Sequence, residues 1–253
     1  MQRRKLVAGN WKLNGALASN RLLLDALRGG AYAGADCAVL VPYPYLAQAG
    51  EILKGSRVVW GAQDVSEHET GAFTGEVSAP MLVEFGCRFV TVGHSERRAL
   101  FAEDDATVAR KMAAAMKGGV TPILCVGETL AEREAGQTAA VVERQLKAVV
   151  DGPGTALFTQ AVVAYEPVWA IGTGKTATPD QAQEVHGQIR ALLNRWGVEA
   201  AAVPILYGGS VKASNAASLF AMPDVDGGLV GGASLVATEF LDIWRAAAEA
   251  GTR

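Results

Sequence analysis

Cysteine is scarce. Cys37, Cys87 and Cys125 are the only three in 253 residues, and they stand far apart. An odd count at wide spacing is neither a disulfide framework nor a metal-ligand pattern, and reduced thiols are the simplest reading. Long apolar runs are missing as well. Ala200 to Tyr207, among the longest, has eight residues, too few for a membrane-spanning helix. The opening Met1-Gln-Arg-Arg-Lys5 runs straight into Leu-Val-Ala-Gly-Asn10. That stretch is too short for a signal-peptide core, so a cytoplasmic protein is expected. There is no block of Lys or Arg, and net charge is only −3, so nothing points to nucleic acid. Charge is sparse overall, at 19%, while half of the residues are hydrophobic. Disorder is excluded on that balance.

Glycine is in excess, at 29 residues, yet the chain is not of low complexity. The length fits two small domains or one barrel of eight β–α units. Short apolar runs recur: Leu6 to Ala8, Ala38 to Val41, Val58 to Gly61, Phe89 to Val92, Thr121 to Val126, Ala161 to Tyr165, Pro204 to Tyr207 and Val225 to Val230. Most are continuously apolar, as parallel strands buried on both faces are. Helical stripes lie between them. Ala109, Met112, Ala113 and Met116 form one; Ala139, Val142, Leu146 and Val149 form another. Ala182, Val185, Ile189, Leu192, Leu193 and Trp196 form the clearest, and Phe240, Trp244, Ala247 and Ala248 mark the last. Thr178, Pro179 and Gln181 spell a capping box at a helix start. Gly29-Gly30, Gly118-Gly119 and Gly197 fall where helices should stop. Alternation alone allows a closed barrel or a doubly wound sheet. Eight units and no linker favour a single barrel domain over residues 1–253.

In either fold the chemistry belongs at the carboxyl ends of the strands. There the sequence places Asn10-Trp11-Lys12, Gln63-Asp64, His94-Ser95-Glu96, Glu166-Pro167, Gly208-Gly209-Ser210 and Gly231-Gly232. His94 is a capping or core residue if it acts alone. If a helical turn begins at Ser95, its positive end keeps the imidazole neutral and able to donate to a substrate oxygen. Glu166 closes an apolar strand, and burial would make it a useful base. Lys12 gains interest only because the first strand aims it at the same mouth. Cys125 reads as a small buried residue. The stretch from Gly172 to Thr176 lacks the first glycine of a P-loop, since Trp169 occupies that position. It reads better as a closing lid, with stiff flanks at Pro167-Val168-Trp169 and Lys175-Thr176-Ala177 and an apolar tip, offering the Gly172 N–H. A barrel aldolase using Lys12 or Lys175 as a Schiff-base nucleophile, and a non-catalytic phosphate binder, are the competing readings.

Five segments in order resemble the triosephosphate isomerase family. They are Ala8-Gly-Asn-Trp-Lys-Leu-Asn-Gly15, Val92-Gly-His-Ser-Glu-Arg-Arg98, the run from Tyr165 to Ala177, Tyr207-Gly-Gly-Ser-Val211 and Gly228-Leu-Val-Gly-Gly-Ala-Ser234. The resemblance implies a single-domain (β/α)₈ TIM barrel that interconverts dihydroxyacetone phosphate and glyceraldehyde 3-phosphate, with no metal and no cofactor. It implies Glu166 as base, His94 as electrophile, and Lys12 and Asn10 as stabilisers of negative charge. Gly172, Ser210, Gly231 and Gly232 would give N–H groups to the phosphate, with Ser95 and Glu96 in support. A glutamate base with a neutral histidine is the family's own well-described pairing. The segment Gly61–Glu76 resembles the family's long third loop, which implies a homodimer in which Thr74 approaches the partner's site. Pro42-Tyr43-Pro44 departs from the family's adjacent prolines, which leaves the geometry of that loop open.

Overall fold

The computed structural model describes residues 3–172 and 176–252. Thr173, Gly174 and Lys175, part of the expected lid and one of the two aldolase lysines, lie outside the described residues. Eight parallel strands close into a barrel in sequence order. They are β1 (Lys5–Asn10), β2 (Ala35–Leu40), β3 (Val58–Ala62), β4 (Phe89–Val92), β5 (Thr121–Val126), β6 (Val162–Tyr165), β7 (Ile205–Tyr207) and β8 (Gly227–Val230). Closure is made by β1 against β8, with Leu6↔Gly227 through Gly9↔Val230 in register. That pairing decides for the barrel over the open sheet.

Ten α-helices are described: α1 (Leu17–Arg28), α2 (Leu46–Leu53), α3 (Ala79–Glu84), α4 (Ser95–Leu100), α5 (Asp105–Gly118), α6 (Leu130–Glu134), α7 (Thr138–Asp151), α8 (Pro179–Arg195), α9 (Ala213–Phe220) and α10 (Ala237–Gly251). The expected capping box is present: Thr178 accepts from the Gln181 N–H, and the Gln181 side chain answers the Thr178 N–H. Gly119 ends α5 at φ 88°, in the left-handed region. The units after β4 and β5 each carry two helices. Among the described residues no helix is long and apolar enough to cross a membrane.

Strand side chains alternate between two cores. Leu6, Ala8, Ala38, Leu40, Ile123, Cys125, Val162, Ala164, Leu206 and Leu229 fill the barrel interior. The opposite parity, with Val7, Val39, Val90, Leu124, Val163 and Ile205, packs against the helices. Period-two alternation decides what faces the mouth. Asn10 continues the inward row of Leu6 and Ala8; Glu166 continues that of Val162 and Ala164. Gly208 and Gly231 continue the rows of Leu206 and Leu229, so those two inward positions carry no side chain.

His186 on α8 is fully buried, and its Nδ1 lies 3.1 Å from the Asp224 carbonyl oxygen. Burial without a partner for Nε2 drives its pKa down to about 4. The unfolded chain therefore binds a proton here that the folded chain refuses, between about pH 6.5 and pH 4. Stability is gained as pH rises through that window and lost as it falls, by up to roughly 3 kcal/mol. Thermal unfolding followed across this range is expected to show that loss. His186→Leu is expected to flatten the slope, and an unchanged slope would assign the loss to other groups.

Candidate active site

Asn10, Lys12, His94, Glu166, Gly172, Ser210, Gly231 and Gly232 all border one cavity of about 280 Å³ at the carboxyl end of the barrel. They come from the ends of β1, β4, β6, β7 and β8, and the strand register brings them together.

Lys12 has a positive φ of 52°, unusual for a residue with a side chain. Two contacts hold it there. Its N–H donates to Asn10 Oδ1 at 3.0 Å, and Gln63 Nε2 donates to its carbonyl at 3.0 Å. Gln63 also donates to the Leu40 carbonyl at 2.9 Å, and Thr91 Oγ1 donates to the Gln63 carbonyl at 2.6 Å. The Lys12 ammonium lies 2.6 Å from Glu96 Oε1. Asn10 thus shapes the backbone that presents the cation, and Glu96 receives the cation across the mouth.

His94 is the N-cap of α4 and is nearly buried, at 6% exposure. Its Nδ1 accepts the Glu96 N–H at 3.2 Å. An acceptor nitrogen carries no proton, so the proton sits on Nε2. Nε2 lies 2.9 Å from Glu166 Oε1, and the Ser95 N–H donates to Glu166 Oε2 at 2.9 Å. Burial acts to lower the His94 pKa, and the charge and hydrogen bond of Glu166 outweigh it and raise it. Burial likewise acts to raise the Glu166 pKa; the imidazole and the Ser95 N–H outweigh it and hold the carboxylate low. The two shifts are one attraction seen from its two ends. Glu166 is an ionised carboxylate, 2% exposed, with a donor on each oxygen.

The sequence did not reveal Glu128. This carboxylate, fully buried just beyond β5, accepts from Trp169 Nε1 at 2.9 Å, Tyr165 Oη at 3.1 Å and Arg133 Nη1 at 3.2 Å. The Arg133 guanidinium lies 4.4 Å from the Trp169 ring centre. On the other flank of the loop, the Ala177 N–H donates to Tyr207 Oη at 3.3 Å. Both flanks are therefore tied to the barrel. The only advance signal for Glu128 was an acid two residues beyond an apolar strand, a weaker form of the signal that marked Glu166.

Cys125 lies inside the barrel beneath Glu166, and burial pushes its thiol well up. It is an inert packing residue, as expected; Cys37 and Cys87 are buried too. The unusual Pro42-Tyr43-Pro44 forms a short 3₁₀ turn. Tyr43 Oη donates to the Asp64 carbonyl at 2.7 Å, so the turn braces the start of the loop after β3. Among the described residues no cluster of His, Cys, Asp or Glu could hold a metal ion.

The family model described as triosephosphate isomerase matches residues 5–247. A triosephosphate isomerase of Thiobacillus denitrificans is 63% identical over 248 residues, covering 98% of this chain and all of the relative. That of Azoarcus sp. is 62% identical, covering 96% and 99%, and that of Paracidovorax citrulli is 60% identical, covering 98% and 100%. This barrel, with its carboxylate, imidazole and cation at the carboxyl ends of the strands, belongs to the triosephosphate isomerase family.

A methyl group at Gly208 would lie 2.8 Å from Glu166 Cγ and 3.0 Å from the Tyr165 carbonyl oxygen. Gly208→Ala is expected to displace the carboxylate from its two donors. Isomerase turnover should fall by about 10²-fold if the displacement reaches about 1 Å, with the circular dichroism of the fold kept. Full turnover in that variant would mean that the Glu166 stem is free to give way.

Proposed function

We propose that this protein interconverts dihydroxyacetone phosphate and D-glyceraldehyde 3-phosphate through an enediolate. The observation that carries the reading is the Glu166–His94 pair: an ionised carboxylate and an Nε2–H donor 2.9 Å apart at the bottom of a cavity sized for a triose phosphate.

The chemistry follows from those groups. Glu166 removes a proton from the carbon next to the substrate carbonyl. As it leaves, charge builds on the carbonyl oxygen, where the His94 Nε2–H and the Lys12 ammonium meet it. His94 gives its Nε2 proton to that oxygen and takes up the hydroxyl proton of the neighbouring oxygen, so the negative charge passes from one oxygen to the other. The protonated Glu166 then returns its proton to the neighbouring carbon, and the carbonyl has moved by one position. The substrate oxygen takes the place of Glu166 Oε1 at His94 Nε2. With the carboxylate drawn away, the main influence raising the histidine's pKa is removed. Burial, the largest influence, then favours the neutral imidazole against the smaller raising effect of the Glu96 charge. The phosphate lies beside the glycine turns after β7 and β8, taking N–H groups from Ser210, Gly231, Gly232 and Gly172. The segment around Gly172 closes as a lid, excludes water and keeps the enediolate from losing its phosphate. Lys12 serves as a cation rather than a Schiff-base nucleophile, since its ammonium is engaged by Glu96.

We also propose a homodimer formed through the loop around Thr74. That loop is preorganised. Ser66 N–H donates to the Val77 carbonyl at 2.8 Å, Lys117 binds Glu69 at 2.6 Å, and Arg110 binds Glu67. His68 stacks on Phe73 with ring centres 3.6 Å apart. Leu13, Phe73 and Phe101 from loops at this end of the barrel, and Leu100 at the end of α4, are exposed apolar residues that a partner would cover.

Two measurements test these readings. In a coupled assay the protein is expected to turn over dihydroxyacetone phosphate. Glu166→Asp, which withdraws the carboxylate by about one bond length, should lose roughly 10²-fold in turnover with the fold intact; unchanged turnover removes Glu166 as the base. Sedimentation equilibrium is expected to give twice the chain mass, and Thr74→Arg to give the single-chain mass. A wild-type monomer would overturn the dimer.

A further inference from the structure

Arg98 is the second of the two arginines that follow Glu96, and its side chain is only 17% exposed. It is not aimed into the active-site cavity. Each of its three nitrogens is used, in a different direction. Nε donates to the Gly93 carbonyl at 2.9 Å, Nη2 reaches the Cys125 carbonyl at 3.4 Å, and Nη1 binds Asp105 Oδ1 at 2.5 Å. Asp105 is the first residue of α5, and its other oxygen accepts Arg144 Nε from α7 at 3.0 Å.

The two carbonyls are informative. Pairing of β4 with β5 ends at Val92↔Leu124. Gly93 and Cys125 are the next residues on each strand, so the guanidinium bridges the two strands just where the ladder gives out. Gly93 immediately precedes His94 and turns the chain with a φ of 70°. Cys125 immediately precedes Val126, whose carbonyl accepts the Glu166 N–H at 2.7 Å. One side chain thus fixes the backbone that carries the imidazole against the backbone that holds the base.

We propose that Arg98 is a positioning residue of the isomerisation, setting the His94–Glu166 separation by bridging the ends of β4 and β5. The inference rests on the roles given to those two residues under Proposed function. A planar fork of donors can reach two carbonyls and a carboxylate at once; a lysine ammonium on a flexible stem cannot hold the same three points. Loss of the bridge lets β4 drift relative to β5 and β6. A misplacement of about 1 Å between reacting groups costs roughly 10²-fold in rate. The phosphate-facing residues Ser210, Gly231 and Gly232 follow β7 and β8, on other strands of the barrel, so substrate affinity should be spared. A separate cavity of about 390 Å³ adjoins Arg98, bordered also by Asp105, Cys125, Gly127 and Glu166. It leaves room for a small guanidine to enter where the side chain has been removed.

The test compares the full-length wild type with Arg98→Lys, Arg98→Ala and Asp105→Asn. Both Arg98 variants are expected to lose about 10²-fold in kcat, with KM within roughly threefold of the wild type. Methylguanidinium should raise the kcat of Arg98→Ala and leave the wild type unchanged, a rescue that a merely destabilised fold would not give. Asp105→Asn, which loosens the anchor and leaves the guanidinium in place, should lose roughly 10-fold in kcat at unchanged KM. Wild-type kcat in Arg98→Lys, a rise in KM that accounts for the loss, or a folded Arg98→Ala without rescue would each overturn the proposal. If the Arg98 variants do not fold, wild-type kcat in Asp105→Asn overturns it. The imidazole ¹⁵N resonance of His94 reads its placement without turnover, and an unshifted resonance in the variants also overturns the proposal. A wild type with no isomerase activity would sink the functional reading instead.

Discussion

Asp226 holds the seam on which the barrel depends. It stands directly before β8, between the last strands and the first. Its carbonyl accepts the Leu6 N–H at 2.9 Å, and its N–H donates to the Ile205 carbonyl at 2.8 Å. Its buried carboxylate accepts the Ile205 N–H at 2.9 Å, Arg3 Nε at 2.7 Å and Arg190 Nη2 at 2.8 Å. An isolated carboxylate would be costly to bury; one with several donors, two of them guanidiniums, is stabilised. Through this one residue β7, β8 and β1 are stitched into a ring. Without the ring, Asn10 and Lys12 at the end of β1 would not stand beside Gly231 and Gly232 at the end of β8. More than 200 residues separate them along the chain, and the β1–β8 register brings them together.

Closure also explains why one end of the barrel is chemical and the other is not. Going up each strand, the inward positions change from leucine, valine and alanine to Asn10, Glu166, Gly208 and Gly231. The interior is packed to the level of Cys125 and then stops, so the mouth is a floor of apolar atoms with polar groups around it. On that floor a carboxylate loses water, and its ionisation depends on what donates to it. Glu166 has two donors, the Ser95 N–H and the His94 Nε2–H. Both belong to the single turn at the start of α4. The site is therefore a balance between one carboxylate and one helix start.

Legibility in the sequence followed the range of the interactions. The strands were readable because each is a short apolar run, and β4 and β5 fall at the expected bounds. Thr178 and Gln181 were readable because a capping box spans four residues. Asn10 and Glu166 were readable as polar residues closing apolar runs. The six-residue α4 and five-residue α6 were not, since helices so short complete fewer than two turns and show no period. Lys12 gave no sign of its positive φ, because one of the two residues that hold it, Gln63, lies fifty-one positions away. Glu128 and Arg98 were hard to read for a related reason: partners that give them their roles, Tyr165 and Trp169 for the one and Cys125 for the other, come from the next unit of the barrel. The polar residues that border the cavity sit at strand ends, where pattern reading finds them. Those that hold them in place are fixed by closure.

The loop between β6 and α8 shows the same dependence on closure. Its described flanks are pinned to other units of the barrel. Trp169 Nε1 donates to Glu128, the ring is covered by Arg133, and Val168 N–H donates to the Glu128 carbonyl at 3.1 Å. Beyond the tip, the Ala177 N–H meets Tyr207 Oη, and Thr178 starts α8 with a complete cap. Glu128, buried and outside the active-site cavity, thus anchors the β6 side of this loop, while Tyr207 and the cap of α8 anchor the other.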